Sequence, residues 1–282
     1  MASILPFQSA IVTGASSGIG YQLAYQLGMS GVSLGLIARR LDPLLQLADK
    51  IKQDRQKQIA NSNSITSLGE SQTTISSEVP VYCRSMDVTC RDDMLSTIHE
   101  LQDKLGGCEL LIANAGVGSG NSGDNLNLRG AEQVIRVNLL GVMNSIQGVL
   151  PQMLRNHRGQ IVAISSIASI KGVPGAAAYC ASKAAVNAYM ESLRIEHYGS
   201  GVSFQTICPG FIDTPMTKKN KKMFLVMTPE RAAQKIIRAI QKKKKFYAFP
   251  WSTHRLMRLT YWLPDWLLHR TMPNEIGGVG AD

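Results

Sequence analysis

Thr13-Gly14-Ala15-Ser16-Ser17-Gly18-Ile19-Gly20 decides the fold of this 282-residue chain. It follows a short apolar run over residues 8–13 and leads into residues 21–29, which have helical periodicity. Glycines between a strand and a helix permit a tight turn and let a pyrophosphate approach the backbone. The helix start adds free N–H groups and a partial positive charge. The spacing is GxxxGxG, not the GxGxxG of the common dinucleotide fingerprint. Outward from the turn, residues 32–38 read as a second strand and 43–53 as a helix, a βαβ opening. The alternation continues with strands at 79–86, 110–114, 160–165 and 203–208, and helices at 92–105, 130–155 and 178–198. Strands alternating with helices predict an α/β fold: a doubly wound, Rossmann-type parallel sheet with helices on both faces.

Interruptions in this pattern are few. Residues 54–78 are polar, rich in Ser, Gln, Asn and Thr, and read as a solvated insertion. Residues 117–127 form a Gly/Asn-rich loop. We place one Rossmann-type nucleotide-binding and catalytic domain at 1–217. Residues 218–282 follow as a lid, a substrate-shaping segment and a basic, aromatic C-terminal extension. The stretch from Gly14 to Gly18 also reads formally as the GxSxG nucleophile elbow of serine hydrolases. Only one strand precedes it, however, and no His/Asp pair is convincingly placed downstream.

Composition narrows the class further. The five cysteines, Cys83, Cys90, Cys108, Cys180 and Cys208, show no CxxC and no metal-ligand spacing. With no signal-peptide pattern at the start, they read as reduced thiols of a cytoplasmic protein without a metal site. The five histidines have no ligand spacing. No apolar run approaches the ~18 residues of a membrane span. The net charge of +10 is uneven: residues 218–270 hold 14 Lys/Arg against Glu230 and Asp265, so this segment is +12 and the rest −2.

Two further features bear on chemistry. The second strand ends in Ala38-Arg39-Arg40, where an acidic residue would hold the ribose 2′-hydroxyl of NAD. Two arginines suit the 2′-phosphate of NADP, and the Ser16 hydroxyl could add a contact. The other reading is a solvated pair opening a loop. Tyr179-Cys180-Ala181-Ser182-Lys183 puts a phenol and an ammonium on one helix face. At about 4 Å and an effective dielectric of about 20, their attraction is roughly 4 kcal/mol, which would lower the tyrosine pKa by about three units.

Taken together, these residues resemble the short-chain dehydrogenase/reductase family, over residues 11–217. The glycine turn supplies Gly14, Gly18 and Gly20, with Ser16, Ser17 and Ile19 between them. Asp87 and Val88, in Met86-Asp87-Val88-Thr89, look like the pair that caps the adenine. Asn114-Ala115-Gly116 looks like the motif closing the fourth strand. Pro209, Gly210, Ile212 and Thr214 resemble the loop that holds the nicotinamide carboxamide. Ser166 lies 13 residues before Tyr179, the family's usual separation, so Ser166 rather than Ser165 matches the catalytic serine. Asn138 resembles the structural and proton-relay asparagine.

The resemblance implies NADP(H)-dependent hydride transfer between nicotinamide and a ketone, aldehyde or secondary alcohol. It assigns proton transfer to Tyr179, charge stabilisation to Ser166, and tyrosine activation plus ribose binding to Lys183. Asn138 would hold a water between Lys183 and solvent. It also implies a homodimer or homotetramer through the helices at 130–155 and 178–198. A non-catalytic NADP-binding sensor or scaffold with the same fold is the alternative, and the intact Ser/Tyr/Lys/Asn set argues against it.

The C-terminal segment matches no motif of the family. Lys218-Lys219-Asn220-Lys221-Lys222 falls where a lid is expected; residues 229–240 read as a helix. Lys242–Lys245 precede Phe246-Tyr247-Ala248-Phe249-Pro250-Trp251, and an arginine-dotted apolar stretch runs to Arg270. Three readings stay open: a solvated lysine run with aromatics packed on the body, attachment to an anionic membrane through 242–270, and nucleic-acid binding. No recognition motif accompanies the third. Lipid contact would suit a lipophilic substrate.

Overall fold

The computed structural model describes residues 5–65, 79–118, 127–217 and 225–271. Among these residues seven strands form one parallel sheet in the order β3-β2-β1-β4-β5-β6-β7. They are β1 (Ser9–Thr13), β2 (Ser33–Ala38), β3 (Val81–Ser85), β4 (Leu110–Ala113), β5 (Gly159–Ile164), β6 (Val202–Pro209) and β7 (Phe246–Phe249). Side chains alternate across a strand, and the two cores follow from that alternation. Ala10, Val12, Leu110, Ile112, Val162 and Ile164 enter one core; Ile11, Leu111, Ala113, Ile161 and Ala163 enter the other.

The first core is covered by α1 (Gly18–Met29), α2 (Asp42–Ile65) and α7 (Pro229–Gln241). The second is covered by α3 (Arg91–Leu105), α5 (Gly141–Arg155) and α6 (Ala177–Glu196). A parallel sheet needs both faces covered, and these helices do it. The fold is the doubly wound sheet that the alternation predicted.

Three elements differ from the sequence reading. The helix predicted to end at 53 continues to Ile65, so residues 54–65 are helix rather than insertion; residues 66–78 lie outside the described residues. The extension is anchored by polar residues that read as solvated. Asp54 accepts a hydrogen bond from the Tyr25 hydroxyl at 2.9 Å, and Arg55 Nη1 donates to the carbonyls of Gly28 and Met29 at the end of α1.

The helix predicted at 130–155 is interrupted. It runs as α4 (Leu128–Ile135), a π-helical turn at Arg136–Leu140, and then α5. Residues 246–249, set apart by sequence as part of an extension, form the seventh strand and pair with β6 in parallel register from Thr206↔Phe246 to Pro209↔Phe249. Beyond β7 come α8 (Trp251–Leu259) and α9 (Asp265–Thr271).

The strand order reverses at β1 and β4, where neighbouring connections leave to opposite faces and open a crevice. The segments following β1 to β6 all reach that crevice.

Candidate active site

A cleft of about 530 Å³ lies along the carboxyl ends of the strands. One end is built by the glycine turn. Gly14 has φ +66°, and Gly20 packs so closely that a Cβ would come 2.3 Å from the Gly14 carbonyl oxygen and 2.4 Å from Asn114 Nδ2. Thr13, quoted with the turn in the sequence reading but given no role of its own, locks this turn to β4: its hydroxyl accepts from the backbone N–H of Asn114 at 3.0 Å and of Ala115 at 3.1 Å. Its signal was a lone hydroxyl ending an apolar strand. Asn114 Nδ2 donates back to the carbonyls of Thr13 and Gly14. Asn114 therefore shapes the turn with its side chain while lining the cleft.

Ser16, Ser17, Gly18 and Ile19 line the cleft beside this turn; Gly20 supports it from below. Arg39 and Arg40, both exposed, stand at the end of β2, and Arg40 Nη2 donates to the Ser16 hydroxyl at 3.4 Å. Asp87 and Val88 form the wall after β3, where an Asp87 carboxylate oxygen accepts from the Thr89 N–H at 2.9 Å. Ala115 and Gly116 continue the wall after β4. Pro209, Gly210, Ile212 and Thr214 close the far side, knitted by Thr217, whose hydroxyl donates to the Ile212 carbonyl at 2.5 Å. Lys218–Lys222, expected as the lid, lie outside the described residues.

Ser166, Tyr179 and Lys183 meet at the other end of the cleft. Ser166 caps the short turn Ile167–Ser169, accepting from the Ala168 N–H at 3.1 Å. Ser165 also borders the cleft, but its hydroxyl is engaged, donating to the Lys183 carbonyl at 3.1 Å. Lys183 is buried; its Nζ donates to the Ile164 carbonyl at 2.9 Å and stands 5.9 Å from the Tyr179 ring centre.

Asn138 does not line the cleft. It is fully buried in the π-helical turn, a distortion common at functional sites. Its side chain accepts from the Val117 N–H at 2.8 Å and donates to the Val117 carbonyl and the Ser182 hydroxyl. Ser182, also missed by sequence although it adjoins Lys183, donates on to the Tyr179 carbonyl at 2.7 Å. A Cβ on Gly116 would sit 3.2 Å from Asn138 Oδ1 and 3.5 Å from Lys183 Nζ, so both polar ends face the same small space.

The electrostatics correct one expectation. Sequence spacing implied that Lys183 draws the Tyr179 phenol down. Instead, burial pushes Tyr179 up from its ordinary value, opposed by the Ser166 hydroxyl and aided by Cys180 and Cys208. Burial also lowers Lys183 to about 8, with the nearby Cys208 acting against it. Tyr179 keeps some exposed area on the cleft but is packed by protein elsewhere, so desolvation outweighs an ammonium at this distance. At neutral pH the phenol therefore carries its proton.

Nucleotide binding is tested by the turn itself. The cleft-lining glycine turn, the start of α1, and the two exposed arginines after β2, with Arg40 on the Ser16 hydroxyl, suit a phosphorylated dinucleotide. Among the described residues no cluster of His, Cys, Asp or Glu could hold a metal ion.

The chain matches the family model described as short chain dehydrogenase over residues 8–77 and 63–224. It is 34% identical over 262 residues to an uncharacterized oxidoreductase of Myxococcus xanthus (strain DK1622), covering 93% of this chain and 94% of that one. It is 28% identical over 241 residues to a ketoacyl reductase of Nostoc sp., covering 84% and 76%. Among solved structures, the alcohol dehydrogenase of the archaeon Thermococcus sibiricus, complexed with 5-hydroxy-NADP, superposes with a TM-score of 0.69 at 23% identity, covering 86% of this chain and 95% of that one.

Proposed function

The chain belongs to the short-chain dehydrogenase family and is an oxidoreductase of that type; on that premise we propose that it uses NADP(H) to interconvert a carbonyl compound, lipophilic in character, and its secondary alcohol. The observation that carries this reading is the convergence of Ser166, Tyr179 and Lys183 at one end of a cleft whose other end is the glycine turn and Arg39–Arg40.

Gly14, Ser16, Ser17, Gly18 and Ile19 would hold the pyrophosphate at the start of α1. Arg39 and Arg40, with the Ser16 hydroxyl, would hold the 2′-phosphate through charge-assisted hydrogen bonds. Asp87 and Val88 would bracket the adenine, and Pro209, Gly210, Ile212 and Thr214 the nicotinamide end. The bound cofactor supplies hydride chemistry.

The remaining steps belong to the protein. Ser166 would donate a hydrogen bond to the substrate oxygen where charge develops. Tyr179, protonated at neutral pH, is in the state required of a proton donor to that oxygen during reduction. Lys183, lowered to about 8, carries a proton close to neutrality and can restore one to the phenol. Asn138 and Lys183 share the space beside Gly116, where a water would connect them.

The test uses NADPH labelled at the transferable hydrogen against a panel of ketones and aldehydes weighted toward lipophilic members. Label should appear in the alcohol product. Tyr179→Phe should lower kcat by about 10²–10⁴ while NADPH still binds. Near-normal turnover in that variant, or no transfer to any carbonyl, overturns the assignment.

A further inference from the structure

Helix α8 has no buried residue, and it exposes a stripe of Trp251, Arg255, Arg258 and Leu259 that Trp262, in the short turn Thr260–Trp262 that follows, continues. Trp262 is 88% exposed, Trp251 68% and Trp266, on α9, 67%. An apolar cluster of this kind is unlike the single scattered hydrophobes of ordinary surfaces. The segment is nonetheless held to the body. His254 stacks at a tilt on Phe246 at 6.1 Å, Lys171 lies over the Tyr261 ring at 5.2 Å, and Leu268 and Thr260 are buried. Its anchored side is satisfied while its aromatic side faces out.

The charge around this face is predominantly positive, with Asp265, exposed at the start of α9, set against it. No acidic residue occurs between Glu230 and Asp265, a stretch that contains Arg255, Arg258 and the exposed run Lys242–Lys245. The Phe246–His254 contact places that run's end near α8. The Arg255 guanidinium stacks 4.7 Å from the Trp251 ring centre, which presents cation and aromatic together. A second copy docking through the same patch would oppose like charges across a twofold axis, at a cost. Leu256, Leu259 and Leu263, exposed among the tryptophans, offer nucleic acid nothing to pair or stack with. An anionic bilayer matches the aromatic, aliphatic and basic groups: tryptophan rings at the headgroup level, leucines at the acyl boundary, and guanidinium and ammonium groups on lipid phosphates.

We infer that the exposed face of α8 and α9 docks this enzyme on anionic phospholipid membranes as a peripheral protein. Among the described residues no helix is long and apolar enough to cross a membrane, so the contact is interfacial. The inference stands on the surface alone and does not depend on the substrate or cofactor proposed above. Helix α8 itself packs against the Ile167–Ser169 turn that Ser166 caps, so the docking helix neighbours the substrate end of the cleft.

The chain's three tryptophans, Trp251, Trp262 and Trp266, all lie on this face, so intrinsic fluorescence reports it without a label. The experiment uses the full chain with phosphatidylcholine vesicles, with or without phosphatidylglycerol. Phosphatidylglycerol vesicles should blue-shift the emission and pellet the protein; phosphatidylcholine alone should do neither, and high salt should reverse both effects. The paired variant Arg255→Glu/Arg258→Glu, checked for native circular dichroism, should partition at least about tenfold more weakly. Absence of pelleting with phosphatidylglycerol vesicles at low salt overturns the inference, as does equal pelleting of the paired variant. It is also overturned if single-stranded RNA alone produces the shift, or if the wild type forms a dimer that Trp262→Ala dissolves while neither protein binds vesicles.

Discussion

Lys183 shows how burial reorders a pair that sequence spacing brings together. Its folded pKa of about 8 lies below the ordinary lysine value of 10.5. Between those values the unfolded chain holds a proton that the folded chain has released, so the contribution of Lys183 to stability rises with pH across that window. Below about 8 both states are protonated and the full cost of burying the charge is present. Denaturation midpoints of the wild type and Lys183→Met, compared from neutral pH to pH near 10, should therefore shift in favour of the wild type as pH rises. A difference between the two that is flat in pH would refute this account. Arg40 allows a second test at this scale. Arg40→Ala should raise KM for NADPH roughly 10-fold or more, the size expected for a lost charge-assisted contact, and leave KM for NADH nearly unchanged. Equal effects on both cofactors would remove the arginine from phosphate recognition.

At the scale of elements, the glycine turn has the least tolerance. A methyl group at Gly20 would collide with the Gly14 carbonyl and the Asn114 amide, and both are backbone-tethered parts of the turn. Gly20→Ala should cost about 1–3 kcal/mol by overpacking and abolish cofactor binding, measured by urea denaturation and by quenching of protein fluorescence on NADPH addition. Unaltered binding would show that the turn can relax. The turn was legible because glycine spacing after a strand is a local signal. The π-helical turn around Asn138 was not. A run of helix-compatible residues gives no sign that one turn will widen, and the widening is stabilised by Val117 and Ser182, which are distant in sequence. The far half of α2 was missed for a related reason. Asp54 and Arg55 look solvated until α1 supplies their partners.

At the scale of the molecule, the C-terminal segment completes the sheet. Phe249 is buried in the same core as β1, α1 and α7, although its strand is only four residues long. Phe249→Ala should cost about 3–5 kcal/mol, read as a lowered denaturation midpoint. A change below about 1 kcal/mol would mean that β7 contributes little to the core. Beneath it, Gln160 Nε2 donates to Gln205 Oε1 and to the Ile240 carbonyl, and Gln205 Nε2 donates to the Lys244 carbonyl, so buried amides tie β5, β6 and the approach to β7 together.

The sequence by itself determined the strand–helix alternation, the glycine turn and the placing of Tyr179 and Lys183 on one helix face, because each is encoded in short spacings that local geometry reads directly, while Ser166 was singled out by the family resemblance. Only the tertiary structure decided that Phe246–Phe249 is a strand, that Asn138 is buried beneath the cleft rather than lining it, and that burial raises the Tyr179 pKa and lowers that of Lys183. Those outcomes depend on which atoms surround a residue once distant segments meet, and on how much water those segments remove.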